Sequence, residues 1–224
     1  MGYHPDIEKI TIDDFREILK NADLLPGRII LKENADYSFS LIKKQNIKNL
    51  AELKKLLDKK GSVPEFSKKT GLDENYLKIL IREINSMLPK PNEIGKFPGI
   101  SPDTVRRLEK AGIKNTLQLY SRILTPDLRN ELSSATGIDS DDMLLLAKLA
   151  DLSRIRWVNH NFAHMLLQTG YDTAEKVAKA DPSVLQTKIN SLTGKESYKV
   201  NIGLHDIILC VNAAKTVAAD IKFR

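Results

Sequence analysis

Four groups of residues have types and spacings that could do chemistry. His160 and His164 lie four apart, which puts two imidazoles on one helix face, as a zinc pair requires. The residue after the first histidine is Asn161, not the glutamate that a metalloprotease uses as base. No cysteine or carboxylate stands close in sequence as a third ligand. Asp139, Asp141 and Asp142 crowd together as a two-metal nuclease centre requires. They stand at a helix start, however, where carboxylates cap N–H groups and answer the helix dipole. Cys210 lies in the apolar run Ile207-Ile208-Leu209-Cys210-Val211 and reads as a small buried side chain. None of these makes a catalytic constellation. The chain is expected to be non-enzymatic, with no metal, no cofactor and no small-molecule substrate. The fourth group is basic. Arg106, Arg107 and Lys110 follow a Pro98-Gly99 turn, and Arg154, Arg156, His160 and His164 flank a second turn at Trp157. Cations in the first turns of a helix that follows a tight turn suit phosphate oxygens.

The elements that must position these groups are helices. The segment Phe97-Pro98-Gly99-Ile100-Ser101-Pro102 is a turn leading into a helix that starts near Pro102, with Val105 and Leu108 on its apolar face. Gly112 follows its last turn, where a left-handed residue closes a helix. Thr11 with Asp14 three positions later is a capping box for a first helix that ends near Ala22. From there the pattern repeats. Asn46-Ile47-Lys48-Asn49 matches Gly112-Ile113-Lys114-Asn115, and Thr70-Gly71-Leu72-Asp73 matches Thr136-Gly137-Ile138-Asp139. A third copy places Gly170 and Thr193-Gly194 at the equivalent points. Each copy runs through a short amphipathic helix (Leu50–Leu57, Leu117–Leu124, Ala174–Ala180) and a second one (Val63–Lys69, Asp127–Ala135, Pro182–Leu192). A longer helix completes it (Glu74–Leu88, Asp141–Leu152, roughly Leu204–Ile221). The short apolar run Arg28-Ile29-Ile30-Leu31 could be extended but has no partner strand. The fold class is therefore all-α, built from three related copies. Pro89-Lys90-Pro91 blocks helix continuation and divides the chain into an N-terminal helical repeat, 1–90, and a domain of two further repeats, 91–224.

Bulk composition narrows the classes. A net charge of +6 on 224 residues permits nucleic-acid binding. The basic excess is spread: residues 1–90 carry 17 basic and 14 acidic side chains, and 91–150 carry 8 and 8. No basic block of the kind a strong DNA binder shows is present. A single cysteine excludes an internal disulfide and fits a reducing compartment. No apolar run reaches the roughly 18 residues of a membrane span. A cytoplasmic protein without membrane contact is expected.

Pro98-Gly99-Ile100-Ser101-Pro102-Asp103-Thr104 resembles the helix-hairpin-helix signature, whose usual form is a Gly-apolar-Gly turn. The tandem arrangement resembles domain-of-unknown-function family 4332, built of paired helix-hairpin-helix units. The matching stretches are Ile113-Lys114-Asn115-Thr116, Thr136-Gly137-Ile138 and Ala150-Asp151-Leu152-Ser153-Arg154-Ile155. The resemblance implies DNA contact through backbone phosphates: outward N–H groups of the turn and the positive end of the next helix form a small anion nest. Such contact does not read bases. The residues expected to make it are Gly99, Ile100, Ser101, Thr104, Arg106, Arg107, Lys110, Arg154, Arg156 and His160. The pattern departs from the signature in each copy. The second glycine is Ser101, and Asp103 stands where Lys or Arg is usual. Trp157-Val158-Asn159 and Glu33-Asn34-Ala35 replace the turn in the other two copies, while the apolar positions Phe39/Val105/Ala163 and Ile42/Leu108/Leu166 persist. The same departures favour a second expectation, a protein–protein scaffold with Trp157 as an anchor.

Overall fold

The computed structural model describes residues 2–192 and 201–223. Among them the regular structure is helical, with two isolated bridges, Thr11 to Asn49 and Glu93 to Asn115, in place of any strand. The chain divides into two compact units, Asp6–Leu88 and Met1–Pro5 with Pro89–Arg224.

The Asp6–Leu88 unit holds α1 (Ile12–Asn21), α2 (Ala35–Lys43), α3 (Leu50–Leu57), α4 (Ser62–Thr70) and α5 (Glu74–Ser86). The capping box starts α1: the Thr11 hydroxyl accepts from the Asp14 N–H at 3.1 Å, and the Asp14 carboxylate accepts from the Thr11 N–H at 3.1 Å. The run Arg28–Leu31, which the sequence left open to an extended form, lies in a 3-10 helix, Pro26–Leu31. Proline at its first position presets φ, and the buried Leu31 ties it to the core. Phe15, Leu19, Phe39, Ile42, Leu53, Leu77 and Leu80 are all buried in one cluster.

The second unit holds a 3-10 turn at Ile94–Lys96 and then α6 (Pro102–Lys110), α7 (Thr116–Tyr120), α8 (Pro126–Thr136), α9 (Ser140–Leu152), α10 (His160–Gln168), α11 (Ala174–Ala178), α12 (Pro182–Asn190) and α13 (Leu204–Ala214). Helix α9 is its axis. Met143, Leu146, Ala147, Leu149, Ala150 and Leu152 are buried on several faces, as expected of a helix surrounded by neighbours. Two helices end four or more residues earlier than the sequence suggests. Helix α7 stops at Tyr120, and α13 stops at Ala214 rather than near Ile221. Past Ala214 the chain is drawn across the unit: Asp220 bonds Tyr120 and Arg154, and the Lys222 N–H donates to the Leu124 carbonyl at 2.8 Å.

Local geometry recurs at the matched sequence positions. Asn46, Gly112 and Gly170 all have positive φ. The N-caps Asn49, Asn115 and Thr173 start α3, α7 and α11. The first N–H of each of these helices is taken by an outside oxygen: Ile10 O for Leu50, Asn92 O for Thr116, and the Asp151 carboxylate for Ala174. Thr70 and Thr136 each bond back four residues, to Phe66 O and Leu132 O, ahead of a left-handed glycine. The third Thr-Gly pair, Thr193-Gly194, lies outside the described residues.

Candidate nucleic-acid interface

Gly99 has φ +81 and is exposed, and the Ile100 N–H closes the turn on the Phe97 carbonyl. Ser101 then caps α6, its hydroxyl accepting from the Thr104 N–H at 3.0 Å and contacting the Thr104 hydroxyl at 2.9 Å. Thr104 is buried. Ser101 and Thr104 therefore hold the helix start in place, and Gly99 and the partly buried Ile100 form the tip. The same turn is built twice more without glycine. Asn34, φ 52, lies inside a turn closed by the Ala35 N–H on Lys32 O and is itself the N-cap of α2; Trp157, φ 67, lies inside one closed by the Val158 N–H on Ile155 O. A left-handed tryptophan costs about 1–2 kcal/mol relative to glycine. The guanidinium of Arg156, 4.3 Å over the indole ring centroid, helps hold it.

Two of these turns come together. An added Cβ on Gly99 would lie 3.9 Å from Nε2 of His164, and Phe97 meets the His160 ring edge-on at 6.5 Å. The Asn92 side chain, which sequence reasoning missed, joins the two turn regions by donating to Ser153 Oγ at 2.9 Å and Val158 O at 3.2 Å. No sequence signal marked it, because its partners lie 61 and 66 residues away. Burial lowers the basicity of His164. Among the described residues no cluster of three or more His, Cys, Asp or Glu could hold a metal.

The cations around these turns differ in freedom. Asp103 takes both neighbouring arginines, Arg106 at 3.2 Å and Arg107 at 2.5 Å, and their bonds hold its carboxyl below the usual range. Arg107 also donates to the Gly137 carbonyl at 2.9 Å, placing positive charge at the C-terminus of α8. Lys110 is exposed and Arg156 is partly buried.

Arg154 requires a correction. Its side chain is only 2 % exposed, so it is no surface phosphate contact. It sits between Asp151 and Asp220, each at 3.1 Å, with the Tyr120 ring 4.9 Å from its guanidinium carbon. It also reaches the Tyr3 carbonyl, at 3.4 Å. Sequence proximity to Trp157 placed it at the tip, but the acid at position 220 draws it inward.

The tyrosines of this network predict alkaline unfolding. Burial pushes Tyr3 up to about 12, and burial together with its bond to Asp220 raises Tyr120 further. A phenol in the unfolded chain ionises near 10. The native state therefore keeps protons that the unfolded chain releases, and stability is full below pH 10 and falls as pH rises toward 12. Tyr3 alone contributes about 2–3 kcal/mol of that loss. Urea melts between pH 9 and 12 measure it, and Tyr3→Phe flattens the slope. An unchanged slope in Tyr3→Phe refutes the assignment to Tyr3.

No helix among the described residues is long and apolar enough to cross a membrane. No curated protein and no solved structure matches the chain. Residues 98–216, more than half of the chain and including the Gly99 turn and α6 to α13, match one family model. The chain belongs to the family described as Domain of unknown function (DUF4332).

Proposed function

We propose that the chain is a non-enzymatic protein that binds nucleic-acid backbone weakly and without reading sequence. The site lies where the Gly99 turn meets the start of α10. The observation that supports it best is the pair of turns at Gly99 and Trp157, each with a left-handed residue and an apolar residue ahead of a capped helix. On this reading the turns at Asn34, Gly99 and Trp157 are three copies of a helix-hairpin-helix module. The contacting groups are the tip N–H groups with Arg106, Arg107, Lys110, Arg156 and His160. Affinity is modest because Asp103 draws off two arginines.

A titration against a 20-base-pair duplex at 50 and 200 mM salt tests this. Binding must weaken with salt, by about 0.9 in logarithmic slope per phosphate neutralised. Asp103→Asn frees Arg106 and Arg107 and should tighten binding several-fold. Arg106→Glu with Arg107→Glu should weaken it about tenfold or more. An affinity that is absent at 50 mM, or indifferent to all three changes, defeats the proposal.

A second reading, protein contact through the same tips, draws on Trp157, which is 40 % exposed. That contact would survive high salt and fail in Trp157→Ala.

A further inference from the structure

We infer that the corner made by α3, α4 and their connecting loop is a second polyanion surface, one that takes the phosphate backbone of duplex nucleic acid. It shares a ligand class with the site around Gly99 but none of its residues.

Lys55, Lys59, Lys60, Lys68 and Lys69 are all exposed, and none has an acidic partner among the described residues. Some exposed lysines are paired, as Lys20 with Asp36, Lys43 with Asp13, Lys78 with Glu74, Lys96 with Glu93 and Lys179 with Glu175, and others, such as Lys32, Lys90, Lys110 and Lys188, stand singly along the chain; the five here fall within fifteen residues. Of the acids on α3 and the loop, Asp58 is occupied by Lys54 and by Asn85, and Glu52, at the far end of α3, accepts from the Lys48 N–H. That leaves Glu65 as the one acidic side chain on the solvent face of α4. On this helix Ser62, Phe66 and Thr70 are buried, so Pro64, Glu65, Lys68 and Lys69 share the outer face. From Ser62 to Lys69 the helix rises about 10 Å. That is about three phosphate steps of a strand at 3.4 Å each.

The matched helix elsewhere shows that packing does not demand these lysines. At the offset that aligns Thr70-Gly71 with Thr136-Gly137, Lys59, Lys60, Lys68 and Lys69 correspond to Thr125, Pro126, Ser134 and Ala135. The outer face of α8 carries Asp127 and Glu131 around an open hollow. One helical element thus presents a basic face in one unit and an acidic one in the other.

The chemistry favours a polyphosphate over the other acidic partners. A membrane-surface helix puts Trp, Phe or Leu into the bilayer beside its lysines, and a protein interface centres on an aromatic or arginine anchor. No large exposed apolar side chain lies between Tyr37 and Leu117. Repeated point charges without an apolar anchor fit a repeated anion.

The test uses the full chain and a 20-base-pair duplex at several salt concentrations. Lys59→Glu, Lys60→Glu, Lys68→Glu and Lys69→Glu are combined in one variant, with circular dichroism checking its fold. Affinity at 50 mM salt should fall at least tenfold, and the salt slope should drop by about 2–4. A second arm needs no variant: the duplex should protect these four lysines from acetylation in the unaltered chain. If the duplex affinity is lost in the Arg106/Arg107 variant but not in this one, and the lysines stay reactive, the corner is no contact surface and only the Gly99 site binds. If the lysine variant alone loses affinity, the corner stands and the reading of the Gly99 turn fails. Lysine-dependent binding to phosphatidylserine vesicles without binding to the duplex overturns the inference, as does the absence of duplex binding at 50 mM salt.

Discussion

Replacing Arg154 with alanine will destabilise the Pro89–Arg224 unit by about 3–5 kcal/mol, the cost of removing one partner from a buried ion pair. Asp151 and Asp220 would then face each other's charge without the one cation that pairs with both of them among the described residues. Burial already raises the Asp151 carboxyl, and the Ala174 N–H and Arg154 are what oppose that rise. The arginine also bonds backbone near the start of the chain and a carboxylate near its end, Tyr3 O and Asp220. Its loss therefore loosens both terminal segments together. A domain typically has only about 5–15 kcal/mol to lose. The expected fall in Tm is roughly 10–15 °C. Asp220→Asn keeps the shape and leaves Asp151 to the cation, so it should cost less than Arg154→Ala. Thermal melts of the two variants measure this. A variant with an unchanged Tm and a reduced affinity for duplex would return Arg154 to the surface role that its sequence position suggests.

The residues carried much of the helical layout and little of the site. Caps and stops are local, so Thr11 with Asp14, and Asp139, marked helix starts, and Asn46, Gly112 and Gly170 marked ends; the caps Asn49 and Asn115 came only with the structure. The departures come from forces that no local window contains. Arg28–Leu31 read as apolar and ambiguous; a proline start at Pro26 and the burial of Leu31 made Pro26–Leu31 a 3-10 helix. The end of α13 was overestimated because Ala213-Ala214-Lys215-Thr216 favours helix, while Asp220 and Lys222 are tied to Arg154 and Leu124 across the unit. The turns at Asn34 and Trp157 were hidden by residue type. A tryptophan gives no warning of a left-handed backbone, so its substitution looked like a lost turn. The backbone is left-handed at both positions all the same. Ser101 and Thr104, read as contacts, form the cap of α6, a role the sequence reading did not assign them. Arginine appears in the sequence as a charge, and only the fold separates Arg154, enclosed by acids, from Arg106 on the surface.

Phe39→Ala will melt the Asp6–Leu88 unit and leave the other standing. Phe39 is fully buried, and its ring packs 5.9 Å from that of Phe15, which joins α1 to α2. Removing a core phenylalanine costs about 3–5 kcal/mol, because the transfer energy of the ring and the cavity left behind add together. The unit has 83 residues, a size at which each kcal/mol moves Tm by about 4–8 °C. Its Tm should fall by roughly 20 °C, and at 37 °C a large fraction of it should be unfolded. The other unit has a core of its own, around Leu146, Ala147, Ile155 and Leu166, with no side chain in common with the first. Its transition should stay within a few degrees of its original position. Calorimetry then resolves two steps where the unaltered chain has its transitions closer together. Hydrogen exchange assigns them, with amides of α2, α3 and α5 losing protection and those of α9 keeping it. If both units melt together at the lower temperature, the two cores are one cooperative structure. A duplex titration of the same variant at 37 °C then reports which unit carries the binding: affinity that survives belongs to the Gly99 site, and affinity that disappears belongs to the lysines of α3 and α4.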